Sequence, residues 1–280
     1  MPYVTVGQEN NQDINIFFED HGQGQPVVMI HGYPRNGRSW ERQESVLLKE
    51  GYRVITYYRR GFGQSSQPST GYDYDTFTAD LDALLKHLNL SDVVLVGFSM
   101  GTGEGTRYVA KYGSSRVKKV VLAGPIPPYL LKTGDNPEGV DQSVFDGIMD
   151  AIRKDRFAYF SDFLKNFYNT DKLGGTLISD DAVHASFNVA AGSSAIATLA
   201  CVPAWLTDFR PDVDALAKSG LPVLVIQGEE DRILPIAATG QRLPALIPGA
   251  EFVAIKDGPH AINWTHADEL NAALLAFLKK

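Results

Sequence analysis

Apolar residues recur along this chain in two alternating patterns. Short runs that are apolar almost throughout read as strands covered on both faces: Ile14 to Glu19, Pro26 to Ile30, Tyr52 to Tyr57, Val93 to Val96, Val117 to Ala123, Val223 to Gln227 and Phe252 to Ile255. Between them lie amphipathic stretches, Trp40 to Lys49, Phe77 to Leu88, Gly103 to Lys111 and His266 to Leu278. The last sets Leu270, Ala273, Leu274 and Phe277 on one face at helical spacing. Such alternation predicts an α/β fold with a doubly wound, mostly parallel sheet.

The alternation stops between Gly124 and Leu221. Pro125, Pro127 and Pro128 open this stretch, and the pattern then predicts helices over Val140 to Lys154, Ala158 to Phe167, Asp181 to Val189 and Ser193 to Thr207. Residues 125–214, rich in Phe and Tyr, are expected to form a helical cap inserted between late strands, with 1–124 and 215–280 as the core. A cap above the carboxyl ends of the strands would wall a site at that edge. The plainer alternative is a satellite lobe with an aromatic core.

Composition narrows the function. The 280 residues are 44% hydrophobic, enough for a sizeable core, and carry a formal net charge of −7. No basic stripe suggests nucleic acid. No apolar run approaches the roughly 20 residues of a membrane helix, and the polar start, Met1 to Gln12, lacks a signal-peptide core. The single cysteine, Cys201, cannot form an internal disulfide. A cytoplasmic protein without membrane partners is expected. Cys201, flanked by Leu199, Ala200 and Val202, reads as a buried thiol rather than a nucleophile.

The most specific chemistry lies at Gly97-Phe98-Ser99-Met100-Gly101, between the apolar run Val93 to Val96 and a helix-compatible segment. Strand, Gly-x-Ser-x-Gly and helix together predict a nucleophile elbow, whose tight turn lifts the serine hydroxyl above the sheet. A phosphate-cradling reading fails: Gly101-x-Gly103-x-Gly105 is followed by Thr106, and no acidic residue stands at the distance a ribose contact needs.

A serine hydroxyl needs a base, and the base an orienting acid. In elbow folds the chain order is serine, acid, histidine. His21, His31 and His87 precede Ser99, and His184 lies in the expected cap. His260, in the loop after Phe252 to Ile255, suits the base better than His266, which opens the final helix. The acid should follow the strand ending at Gln227, where Glu229, Glu230 and Asp231 compete. Asp231 is preferred and Glu230 held in reserve. Oxyanion donors are expected from the backbone N–H groups of Met100 and of Tyr33, in the loop after Val27 to Ile30. That leaves His31 a structural role in the same loop. The six histidines show no metal-ligand spacing, so neither metal nor cofactor is expected.

Several longer segments are similar to one family. They are Val4 to Asn10; Gly32-Tyr33-Pro34 with Ser39 to Gln43; Arg59 to Ser66; Gly71 to Phe77; the elbow through Gly103-Glu104; Asp208-Phe209-Arg210; and Trp264 to Ala267. Over nearly its whole length the chain resembles the α/β-hydrolase superfamily, and within it the cofactor-free bacterial haloperoxidases, or perhydrolases, with their esterase and γ-lactamase relatives. The resemblance implies a triad of Ser99, Asp231 and His260, oxyanion donors Tyr33 and Met100, and substrate contacts from Tyr33, Trp205 and Ile233. It implies hydrolysis of a small ester or amide through an acyl-serine, peracid formation from a carboxylic acid and hydrogen peroxide, and a possible homo-oligomer. Two departures stand out. Tyr58 precedes Arg59 where the family has an aspartate; it either reshapes the loop behind the oxyanion strand or is a neutral surface change. Arg35 and Arg38, expected near the pocket rim, replace an apolar residue and a histidine.

An amidase or lactamase would use the same triad, because leaving-group choice rests on pocket shape. A binding protein on a hydrolase fold is the rival from another class. A dehalogenase or epoxide hydrolase would need a carboxylate at position 99.

Overall fold

The computed structural model describes residues 2–280. In chain order the elements are β1 (Tyr3–Glu9), β2 (Gln12–His21), β3 (Pro26–Ile30), α1 (Glu41–Lys49), β4 (Arg53–Tyr57), α2 (Tyr74–His87), β5 (Val93–Phe98), α3 (Met100–Tyr112), β6 (Val117–Ala123), α4 (Gln142–Tyr168), α5 (Thr170–Leu173), α6 (Asp180–Ala191), α7 (Ala195–Ala204), α8 (Arg210–Lys218), β7 (Val223–Gly228), α9 (Leu243–Leu246), β8 (Glu251–Ile255), α10 (Ile262–Thr265) and α11 (Ala267–Leu278). The strands form one sheet in the order β1-β2-β4-β3-β5-β6-β7-β8. β1 and β2 pair antiparallel, as do β2 and β4; every other pairing is parallel.

The period-two alternation of side chains splits each apolar strand between two cores. Val28, Ile30, Leu95, Val120 and Val225 face one side, packed with α2, α3 and α8. Val27, Met29, Val94, Val96, Val121 and Leu224 face the other, with Trp40, Leu47 and the apolar face of α11. Because β3, β5, β6, β7 and β8 run parallel, their carboxyl ends meet along one edge of the sheet, where helix and loop starts can converge.

Two elements escaped the pattern. β1 is an edge strand whose side chains are mostly exposed or half-buried, so it carries no apolar run. α8 starts with Pro211 in its first turn, a favourable place for proline, but is only nine residues long. It packs on α3 and crosses position 214, so a boundary there cuts a helix that belongs with the core. The two helices expected over 140–154 and 158–167 are the limbs of α4, which breaks at Asp155 (φ −160°, ψ 96°). The Asp155 carboxylate accepts the N–H groups of Phe157 and Ala158, both at 3.0 Å, and so restarts the helix. Among the described residues no single helix is long and apolar enough to cross a membrane.

Candidate active site

The nucleophile elbow forms where it was expected. Ser99 follows β5 at φ 53°, ψ −121°, a conformation rare for a residue with a Cβ and costing of order 1–3 kcal/mol. Its N–H donates to the carbonyl of Ala123 on β6 (2.8 Å), and its own carbonyl accepts from Thr102 Oγ1 (2.6 Å). Thr102 Oγ1 in turn accepts the N–H of Ile126 (3.0 Å), tying the turn to the loop after β6. The flanking glycines are required by space. A Cβ on Gly97 would stand 2.6 Å from the Gly101 carbonyl oxygen, and one on Gly101 2.3 Å from that of Ile30.

Three strand ends bring the predicted side chains together. Ser99 Oγ lies 2.9 Å from His260 Nε2, and His260 Nδ1 lies 2.8 Å from Asp231 Oδ2. All three residues are buried. The His260 ring is held between Phe98 (centroids 5.0 Å apart) and Phe167 (5.2 Å). Asp231 Oδ1 accepts the backbone N–H groups of Ile233 (2.9 Å) and Leu234 (2.8 Å), and Gln227 Nε2 donates to Oδ2 (3.2 Å). Each oxygen therefore has an assigned task, and Oδ2 is left to His260. Glu230, the reserve acid, turns outward to Lys172 (2.9 Å) with 43% of its side chain exposed. Gln227 was not anticipated as part of the site; its one signal was a polar side chain ending the apolar run of β7.

Both backbone donors are in place. Met100 is the first residue of α3, where an N–H has no partner within the helix. Tyr33 follows β3 beside the elbow: a Cβ on Gly32 would come within 2.8 Å of Ser99 Cβ. Among the described residues neither N–H is given to a protein acceptor. The Gly32 carbonyl, which shares a peptide unit with the Tyr33 N–H, is held by the Arg35 N–H (3.1 Å) and by His31 Nδ1 (2.8 Å). His31 has the loop-bonding role expected of it. Its Nε2 accepts the Arg59 N–H (2.9 Å), which fixes Nδ1 as the protonated nitrogen. Burial, with the Arg59 charge adding to it, holds its pKa well below the usual histidine value, so the ring stays neutral.

Beneath this loop lies a buried ion pair. Arg59 Nη2 donates to Glu104 Oε2 (2.8 Å) and to the His31 carbonyl (2.9 Å), and the Tyr57 hydroxyl donates to Glu104 Oε1. Removing one partner strands the other charge in the core. Glu104→Ala is therefore expected to destabilise the fold by about 3–5 kcal/mol. Urea unfolding of the variant beside wild type measures this, and a loss under about 1 kcal/mol would show that the pair contributes little.

The relay opens into a cavity of about 290 Å³. Tyr33, Trp205 and Ile233, the expected substrate contacts, all line it, with Ile126, Leu130 and Phe145 among the apolar remainder. The Tyr33 ring packs edge-on against Trp205 (4.7 Å) and its hydroxyl donates to the Thr198 carbonyl (3.1 Å). Burial pushes the Tyr33 phenol well above its ordinary pKa, keeping it neutral. Asp162, Asn166 and Arg232, all exposed, are the polar residues among the lining.

The two departures sit elsewhere than expected. Arg35 is buried and does not line the cavity; it donates to Tyr168 Oη (2.7 Å) and to Ser186 Oγ, joining the loop after β3 to α4 and α6. Arg38 is exposed. Tyr58 is buried, edge-on to Phe17 (4.8 Å), so it is no surface change. Cys201 is buried, and burial raises its thiol pKa to about 12, which leaves no thiolate for nucleophilic work. Among the described residues no three His, Cys, Asp or Glu side chains gather as metal ligands.

A family model described as alpha/beta hydrolase fold matches residues 25–267. The chain belongs to that family. The hydrolase is 64% identical over 279 residues to a Synechocystis protein provisionally named a non-heme chloroperoxidase, each chain covered in full. It is 33% identical over 283 residues, again with both chains covered in full, to the bifunctional esterase/perhydrolase of Acinetobacter calcoaceticus. Its structure is similar to that of a bromoperoxidase from Bacillus anthracis, with a TM-score of 0.94, 46% identity and 99% of each chain covered.

Proposed function

We propose that this protein is a serine hydrolase of small carboxylic esters that works through an acyl-serine, and that it makes peracids when hydrogen peroxide replaces water. The observation that carries this reading is the unbroken series Asp231, His260, Ser99, opening on an apolar cavity beside two uncommitted backbone N–H groups.

His260 Nε2 takes the proton of Ser99 Oγ as that oxygen attacks the substrate carbonyl. The N–H groups of Tyr33 and Met100 receive the oxyanion. The tetrahedral adduct collapses, and His260 returns the proton to the departing alcohol, or to the departing hydroxide when the substrate is a carboxylic acid. Water then gives its proton to His260 and attacks the acyl carbon, releasing the acid and restoring Ser99. Hydrogen peroxide attacking in its place releases a peracid. The peracid passes one oxygen atom to bromide in solution, giving hypobromite and the carboxylic acid again. We propose further that residues 125–209 act as the cap over this site: α4 supplies Phe163, and the end of α7 brings Trp205.

Bromination of a dye by bromide and peroxide tests this route. It should require a carboxylic acid in the buffer, survive a strong chelator, and vanish in Ser99→Ala. Equal bromination in phosphate alone would contradict the peracid route, and loss with chelator would point to a metal.

A further inference from the structure

Asp208-Phe209-Arg210 takes no part in the relay, yet all its polar contacts beyond itself reach one loop, residues 125–141, between β6 and α4. The Phe209 N–H donates to the Pro128 carbonyl (3.0 Å). Arg210, clamped by Asp208 (2.6 Å), reaches the Asp135 carboxylate (2.9 Å) and lies over the Tyr129 ring (4.9 Å). From the connection between β7 and β8, Arg242 Nη1 donates to Asn136 Oδ1 (2.8 Å). Asn136 is fully buried, and its Nδ2 donates to the carbonyls of Tyr129 (3.0 Å) and Leu131 (2.7 Å). The loop also closes on itself, with the Val140 N–H on the Leu130 carbonyl (2.7 Å) and the Lys132 N–H on the Val140 carbonyl (2.9 Å).

This pinned loop presents Ile126, Leu130 and Val140 to the cavity that holds Ser99. Apolar contacts are non-directional, so those side chains alone would not hold the wall at one depth. Hydrogen bonds to a buried amide do, because moving the loop leaves buried polar atoms without partners.

We infer that the loop sets the size limit for the hydrocarbon group of the substrate, and that Asn136, Arg242 and Arg210 are the positioning residues that hold it there. The inference rests on the ester-hydrolase reading and deepens it. A wall fixed in place rejects one methylene too many by about tenfold or more in kcat/KM; a wall free to retreat does not.

The test measures kcat/KM for p-nitrophenyl esters from acetate to decanoate, and for alkyl acetates from ethyl to octyl, so that either side of the ester can meet the wall. In wild type one series should fall sharply at a particular chain length. Arg242→Met should raise the relative kcat/KM of the first rejected ester by about tenfold, and Arg210→Met should act in the same direction. Arg242→Lys, which keeps a donor for Asn136, should stay close to wild type. Leu130→Ala removes part of the wall directly and should lengthen the accepted chain even if Asn136→Ala does not fold. If Leu130→Ala moves the limit and Arg242→Met leaves it in place, the clamp does not position the wall. If neither moves it, the wall does not set the limit. Absence of any ester turnover by wild type would instead remove the hydrolase reading, and this inference with it.

Discussion

Ser99→Ala is expected to lower kcat for ester hydrolysis by a factor of about 10⁴ or more while leaving the fold intact. The substitution removes the one hydroxyl that His260 Nε2 faces, at 2.9 Å, and changes nothing else in the elbow. The backbone bonds that hold position 99, to Ala123 and from Thr102, are independent of the serine side chain. Alanine has the same Cβ and so the same strain at φ 53°. Activity that remains would come from the oxyanion donors and the cavity alone. Steady-state kinetics with a p-nitrophenyl ester measures the loss, and thermal unfolding checks the fold. A fluorophosphonate should add its mass to wild type at one site, Ser99, and not to the variant. An active variant, or a label on another residue, would remove the acyl-serine and with it the proposed reaction.

What could be read from the sequence, and what could not, divides along physical lines. The elbow was legible because its demands are local. A turn this tight tolerates nothing larger than glycine at 97 and 101, and the residues that build the flanking strand and helix adjoin it. Asp231 and His260 are remote from Ser99 in sequence, but a parallel sheet brings all its strand ends to one edge, so chain order sufficed to place them. Choosing Asp231 over Glu230 needed the structure, since it depends on which carboxylate turns inward to the N–H groups of Ile233 and Leu234. Arg35 was misplaced for a related reason. Charge suggests a rim, but a guanidinium can be buried when neighbouring hydroxyls, here on Tyr168 and Ser186, accept from it. Those partners come from 133 and 151 residues away, and no periodicity reports such a pairing. β1 and α8 were missed because an exposed edge strand and a short helix begun by proline leave faint apolar patterns. Nor could the loop of residues 125–141 be read ahead of the structure: its order comes from Asn136, Arg210 and Arg242 rather than from apolar spacing.

Asp231→Asn should be nearly as damaging as loss of the nucleophile, a fall of about 10⁴ in kcat, although it alters a single atom. The reason lies in how the two carboxylate oxygens are used. Oδ1 accepts the N–H groups of Ile233 and Leu234, so in the variant the amide oxygen must remain there. The amide nitrogen then occupies the place of Oδ2, facing His260 Nδ1 and Gln227 Nε2. A donor now opposes the Nδ1 proton. The ring relieves this by moving its proton to Nε2, and an Nε2–H donates to Ser99 where it should accept. The imidazolium formed during attack also loses its counter-charge. Stability should change little, because the backbone bonds to position 231 persist. Glu230→Gln provides the contrast: its side chain pairs with Lys172 at the surface, and turnover should stay within about twofold of wild type, as expected for an exposed ion pair. The two variants, assayed with one ester and melted side by side, separate the alternatives. A mild Asp231→Asn together with a crippling Glu230→Gln would move the acid to the neighbouring residue. Equal, small effects from both would mean that His260 is oriented by the rings of Phe98 and Phe167 rather than by a carboxylate.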